Sequence, residues 1–154
     1  MQTLEIDIPK GHEVESFDFN KSKAVIKFKE TPKDIKERIK TFMDVLEHLN
    51  IDEDDFVERI EDMTEDEAAY VKIKLIVRTL NEGWVPDWSN SSQYKYYPWF
   101  HMGSSSGVGF SFLVDDRWVT HSNCGSRLCF ISREAAIYAG EQFESLYKEY
   151  FVME

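Results

Sequence analysis

Cysteine is scarce in this 154-residue chain, where Cys124 and Cys129 are the whole supply. A disulfide framework is therefore not expected, and a reducing compartment is. Long apolar runs are missing too. No span of 18 residues is apolar enough for a membrane helix. The opening MQTLEIDIPKGHEVE is strand-like and acidic, so no signal peptide is expected and a cytoplasmic location is the default. Basic residues are few: 18 Lys and Arg against 29 Asp and Glu leave a formal charge of −11. Lys and Arg on phosphate supply most nucleic-acid affinity, so this charge removes the usual footprint of a nucleic-acid binder. It disfavours an anionic membrane surface for the same reason. Asn20-Lys21-Ser22 and Asn90-Ser91-Ser92 fit the glycosylation pattern, which carries no meaning without export.

What the chain does have is apolar and aromatic material, at 42% and 14% of residues. That is enough for a globular core, and the length suits one domain. Leu4, Ile6 and Ile8 alternate with polar neighbours as in a half-buried strand, and Pro9-Lys10-Gly11 ends it. Val14 to Phe19 and Ala24 to Phe28 read as two more strands around a turn at residues 20–23. Thr31-Pro32 announces a helix whose Ile35, Ile39, Phe42, Leu46 and Leu49 form one stripe, with Asn50 as its stop. Asp52 is placed to cap a short helix carrying Phe56, Val57 and Ile60. Thr64 to Glu67 has the form of a capping box for a helix burying Ala69, Ile73, Ile76 and Leu80. Gly83 suits a left-handed C-cap.

Composition changes at Gly83. Residues 1–82 carry 21 acids and 13 bases, residues 83–154 carry 8 and 5, and all four tryptophans fall between Trp84 and Trp118. The change could mark subdomains 1–82 and 83–154, but the joining segment is aromatic where linkers are polar, so a single domain is expected. Strands are expected near Lys95–Met102, Gly107–Val114, Trp118–Ser122 and Arg127–Ile131. Ser132 then caps a last helix with Ala136, Gly140, Phe143, Tyr147 and Tyr150 on one face. Gly140 indicates a close approach to the sheet or to another subunit. The fold class is α+β: an N-terminal β-hairpin, a helical middle, an antiparallel β-meander and a C-terminal helix packed on the sheet.

Four features invite a chemical reading. Gly103 to Gly107 fits G-x-S-x-G with Ser105 central, but that elbow needs a helix after it, and VGFSFLV reads as a strand, so a hairpin loop is the better account. His121, Cys124 and Cys129, with His101 as a fourth ligand, could hold zinc. Cys-x4-Cys is looser than the usual structural spacing, and a buried cysteine serves equally as a small core residue. The run Asp52 to Glu67 holds ten acids and one base, Arg59. Its sixth and twelfth positions, Val57 and Met63, reject a calcium loop. Part of the run meets helix N-termini, and the rest is either a solvated face or a surface for a basic protein. Finally, YKYYPWF at 94–100 carries rings on both strand faces. Most of the ten aromatics from Trp84 to Trp118 are expected in the core. Trp88 and Trp99, with His101 and Arg117, are the candidates for an exposed binding groove.

IDIPKGHEVE followed by VIKFKE resembles the start of many small proteins of gut Bacteroidetes and their phages. NEGWVPDW, YKYYPWF and SRLCFISREAAIYAGEQF resemble one such group, which has no assigned activity. The resemblance implies an intracellular protein of bacterial or prophage origin and carries over no catalytic residue. Three functions stay open. The leading one is a non-enzymatic module that binds a protein partner or a second copy of itself. The others are a small zinc- or ligand-binding enzyme at His101, His121, Cys124 and Cys129, and an acidic mimic of nucleic acid built on residues 52–67.

Overall fold

The computed structural model describes residues 5–20, 23–30, 34–104, 106–118 and 128–152. The chain forms two compact units, Met1–Arg38 and Ile39–Glu154. The architecture is α+β, as the patterning indicates.

In the first unit β1 (His12–Asn20) pairs antiparallel with β2 (Lys23–Glu30). The register slips between Val14 and Ser16. That bulge matters, because strict alternation from Val14 would send Phe17 and Phe19 to the opposite face. With it, Val14 lies across from Phe28, Phe17 from Ile26 and Phe19 from Ala24, so one face collects all six apolar side chains. The other face carries Asp18, Lys27 and the half-buried Val25, and includes a Glu13–Lys29 ion pair at 3.0 Å. Of the strand expected around Leu4, Ile6 and Ile8, over residues 3–8, residues 5–8 have no regular structure, Ile6 and Ile8 are exposed, and residues 3 and 4 lie outside the described residues. A strand needs a ladder partner, and among the described residues this sheet has two strands only. A short α1 (Ile35–Arg38) closes the unit; the Thr31-Pro32 start expected for it lies outside the described residues.

The second unit begins where a continuous helix was expected and does not form. α2 (Phe42–His48) starts afresh at Thr41. The Asp44 carboxylate accepts from the N–H groups of Lys40 and Thr41 at 2.8 and 2.6 Å, and the Asp44 N–H donates to the Thr41 hydroxyl at 3.2 Å. This reciprocal box competes with the preceding helical turn. Tertiary partners complete the break: Tyr138 Oη donates to the Ile39 carbonyl at 2.6 Å and Gln142 Nε2 to the Lys40 carbonyl at 2.7 Å. The carbonyls that a continuous helix would have used internally are satisfied from outside it.

α3 (Glu53–Ile60) and α4 (Glu65–Leu80) follow. Asp52 caps α3 by accepting from the Asp54 and Asp55 N–H groups at 3.0 and 3.2 Å. The Glu67 carboxylate takes the Thr64 N–H at 3.0 Å at the start of α4. Leu46, Phe56 and Val71 join α2, α3 and α4 in one buried cluster, with the Phe42 and Phe56 rings 5.1 Å apart. Asn50 and Gly83 take left-handed backbone after α2 and α4, as expected of a stop and a C-cap.

β3 (Lys95–His101) and β4 (Ser111–Trp118) form the second antiparallel pair. Of the further strands expected, Phe130 makes one bridge to Tyr96, and residues 119–127 lie outside the described set. The last helix is divided at Phe143 into α5 (Arg133–Gln142) and α6 (Glu144–Phe151). Ser132 caps α5 through the Ala135 N–H at 3.2 Å. α5 packs on the sheet and α6 on α4. A Cβ on Gly140 would overlap the Phe112 ring and stand 2.9 Å from Pro98 Cβ, so the close neighbour that Gly140 announced is the sheet. Phe100 fills the space beside it, with ring centroids 5.1 Å from Phe110 and 4.7 Å from Tyr147.

Candidate functional site

The aromatic segment was expected to be mostly core, and it coats the core instead. Tyr94 and Trp99 are exposed, and the other aromatics described between Trp84 and Phe112 are half-buried. The side chain of this segment that is sealed off completely is Lys95, at 0% exposure. Its ammonium donates to the carbonyls of Asp87, Gln93 and Asn90 at 2.6, 3.0 and 3.2 Å and lies 5.6 Å from the centre of the Trp88 ring. Three donors meet three acceptors, which is the condition for burying a lysine. The loop it closes is also held from within. Asp87 accepts from the Ser89 hydroxyl and N–H at 2.6 and 2.9 Å, which holds its carboxyl below the usual range. Gln93 Oε1 accepts from the Asp87 N–H at 2.8 Å.

The four candidate groove residues do not converge. Trp88 sits with Lys95 at the start of β3. Trp99 pairs with Val114 and, being two residues before His101, shares a strand face with it near the far end. Arg117 pairs with Tyr96 on the opposite face and stacks its guanidinium 4.5 Å from the centre of the Tyr94 ring. Trp99 and His101 are thus the one pair of the four that shares a place.

The zinc candidates fare similarly. His101 is exposed at the end of β3, whereas Cys129 is 1% exposed beside the Tyr96–Phe130 bridge. At about 3.3 Å per residue, those positions are more than ~10 Å apart along the strand. His121 and Cys124 lie outside the described residues. Among the described residues no cluster of three or more His, Cys, Asp or Glu is placed to hold a metal. Ser105 is also outside the described residues. The loop around it closes through Ser104 N–H to the Val108 carbonyl at 3.1 Å and leads into β4, a strand rather than the helix an elbow requires.

The acidic run divides between two tasks. Asp52 and Glu67 cap helices, and Asp66 accepts the Thr64 hydroxyl at 2.7 Å. Glu53, Asp54, Asp55, Glu58, Glu61, Asp62 and Glu65 remain exposed around an equally exposed Val57.

The surface that sequence reasoning missed is the apolar face of β1–β2. Phe17 is 62% exposed and Phe19 75%, and Val14 is exposed with them. Alternation alone reads these residues as half-buried; the signal available was that two strands of this length offer nothing to bury them against. A second missed residue is Asn81, which is buried and acts as a length of strand. Its amide donates to the Cys129 carbonyl at 2.8 Å and accepts from the Ile131 N–H at 2.9 Å, flanking the Phe130 bridge. Tyr147 is the buried phenol of the aromatic cluster, and burial pushes its pKa far above the usual range.

No protein-family description, curated protein or solved structure matches this chain. Among the described residues no helix is long and apolar enough to cross a membrane.

Proposed function

We propose that the chain is a non-enzymatic protein-binding module, intracellular and of bacterial or prophage origin, that engages its partner through the apolar face of β1–β2. The observation that carries this reading is the exposure of Phe17, Phe19 and Val14 side by side on one sheet face. Isolated exposed apolar residues are ordinary; a contiguous group on a flat face is the mark of a contact surface. A two-stranded ribbon gains little stability alone, so a covering partner also accounts for how such a face is tolerated. The acidic second unit adds selectivity, since its charge opposes nucleic acid and anionic membranes.

The test is affinity capture with the immobilised full chain beside a Phe17→Ser/Phe19→Ser variant, read by mass spectrometry. Proteins retained by the wild type and lost by the variant support the reading. Identical capture by both, or none by either, overturns it.

A further inference from the structure

We infer that residues 35–49 are a two-state switch. The segment is broken at Lys40–Thr41 while α5 holds the carbonyls of Ile39 and Lys40, and it becomes one continuous helix when α5 lets them go. This does not rest on the binding reading above.

The first observation is what the segment lacks. IKERIKTFMDVLEHL contains neither glycine nor proline, the residues that stop a helix from within. Ile35, Ile39, Phe42, Leu46 and Leu49 step by four and three across the break without losing phase. Ile35, Ile39 and Leu46 are buried in the broken form, and a continuous helix would carry the same three on one face. α1 stops after about one turn, although a helix once nucleated gains a hydrogen bond for each residue that extends it. Local preference thus favours a continuous helix, and the break is imposed on it.

The second observation is what imposes the break. Two bonds come from α5, Tyr138 Oη on the Ile39 carbonyl and Gln142 Nε2 on the Lys40 carbonyl. The Lys40 ammonium also lies 5.3 Å from the centre of the Tyr138 ring. Three more bonds are those of Asp44 with Lys40 and Thr41. Against these, a continuous helix offers the N–H groups of residues 40–44 to the carbonyls of residues 36–40, bond for bond. Asp44 keeps a partner in either form, because it stands at the spacing of a helical ion pair from Lys40. The Asp44 bonds and the Gln142 bond lie at exposed positions, where water competes for the same groups. Two forms so evenly matched make a bistable element.

The third observation is position. The break falls where the chain divides into Met1–Arg38 and Ile39–Glu154, and the continuous form makes that division the interior of a helix. The clamp is itself placed to be moved. α5 packs on β3–β4, with Gly140, midway between Tyr138 and Gln142, held close to Phe112 and Pro98. A shift of α5 on the sheet is therefore felt at Ile39 and Lys40. Conflict between local preference and tertiary outcome is expected at working parts of a fold.

Hydrogen exchange of the full chain, read residue by residue by NMR, tests this. In the wild type the N–H groups of Phe42 and Met43, in the first turn of α2, should exchange faster than that of Leu46 inside it. Tyr138→Phe/Gln142→Ala removes the clamp, and Thr41→Ala/Asp44→Ala removes the box. Each should slow Phe42 and Met43 at least about tenfold as they enter a helix interior. Fraying would speed them, so damage cannot imitate the result. Adding Met43→Pro, which suits a first turn and not a helix interior, should return Phe42 to fast exchange. If one variant fails to fold, the other decides. No slowing in either, loss of folding in both, or slowing that survives Met43→Pro overturns the inference.

Discussion

The first unit is electrically balanced and leaves its best apolar face open; the second carries the whole net charge and closes its core with α4 at the centre. In residues 39–154, apolar side chains come from helices that can be stacked on one another and on a sheet. Ala69, Ile73, Ile76 and Leu80 therefore find cover within the unit. In residues 1–38 most of the described apolar side chains sit on two strands, and the described residues supply no second layer of strands to meet them. The same alternation and the same residue types thus give a core in one place and a surface in the other. What differs is how many layers the local chain supplies.

Substitutions can break or sharpen that contrast. The largest effect is expected from Lys95→Met, which strips the donors from the Asp87, Asn90 and Gln93 carbonyls. About 3 kcal/mol of unfolding free energy should be lost, read from the urea midpoint, since hydrogen bonds to a charged group are the strong ones. Next is Asn81→Ala. It removes the Asn81 hydrogen bonds to the Cys129 carbonyl and from the Ile131 N–H and should cost about 2 kcal/mol in the same measurement. Gly140→Ala should follow at about 1–2 kcal/mol, because the new methyl overlaps Phe112 and forces α5 away from the sheet.

Asp44→Asn is smaller and depends on pH. Burial raises the Asp44 pKa, but the N–H groups of Lys40 and Thr41 and the Thr41 hydroxyl outweigh it and hold the carboxyl below its ordinary 3.8. A depressed folded value stabilises above the unfolded pKa and is lost as pH falls through the folded one. The variant should therefore be less stable by up to about 1 kcal/mol at neutral pH. The gap should narrow progressively as the pH falls below 3.8, in urea titrations from pH 7 downward. Smallest of all is Phe17→Ser/Phe19→Ser, which should move the unfolding of residues 39–154 by less than about 0.5 kcal/mol, as surface changes do. A loss as large as that of Asn81→Ala would mean that Phe17 and Phe19 help to hold the second unit together, and the contrast would fail.

The legible parts of this fold are those where cause and effect lie within about four residues. Asp52 capping α3, Glu67 reaching back to Thr64, Ser132 capping α5 and the left-handed Gly83 could all be read directly. Gly140 was legible as a close approach, though not as an approach to Phe112 and Pro98. The break before α2 was written in Thr41 and Asp44, but the stripe from Ile35 to Leu49 ran across it and masked it. The candidate site was legible only in pieces. His101 and Cys129 fit a ligand list by residue type, yet pairing on the sheet sets them apart. Trp88, Trp99, His101 and Arg117 fit a groove by type, yet the strand register sends Arg117 to the other face.

By itself the sequence determined the α+β class, the order of the elements, most of their caps and the excess of acid, because each follows from local hydrogen bonding, periodicity or simple composition. Only the tertiary structure decided that Lys95 is sealed under its loop, that Asn81 stands in for a strand, and that Phe17 and Phe19 face outward. For Asn81 the partners lie as many as 50 residues away. For Phe17 and Phe19 the described residues of the unit supply no second layer of strands. For Lys95 the three carbonyls are near in sequence but are brought round the ammonium only by the path of the folded loop.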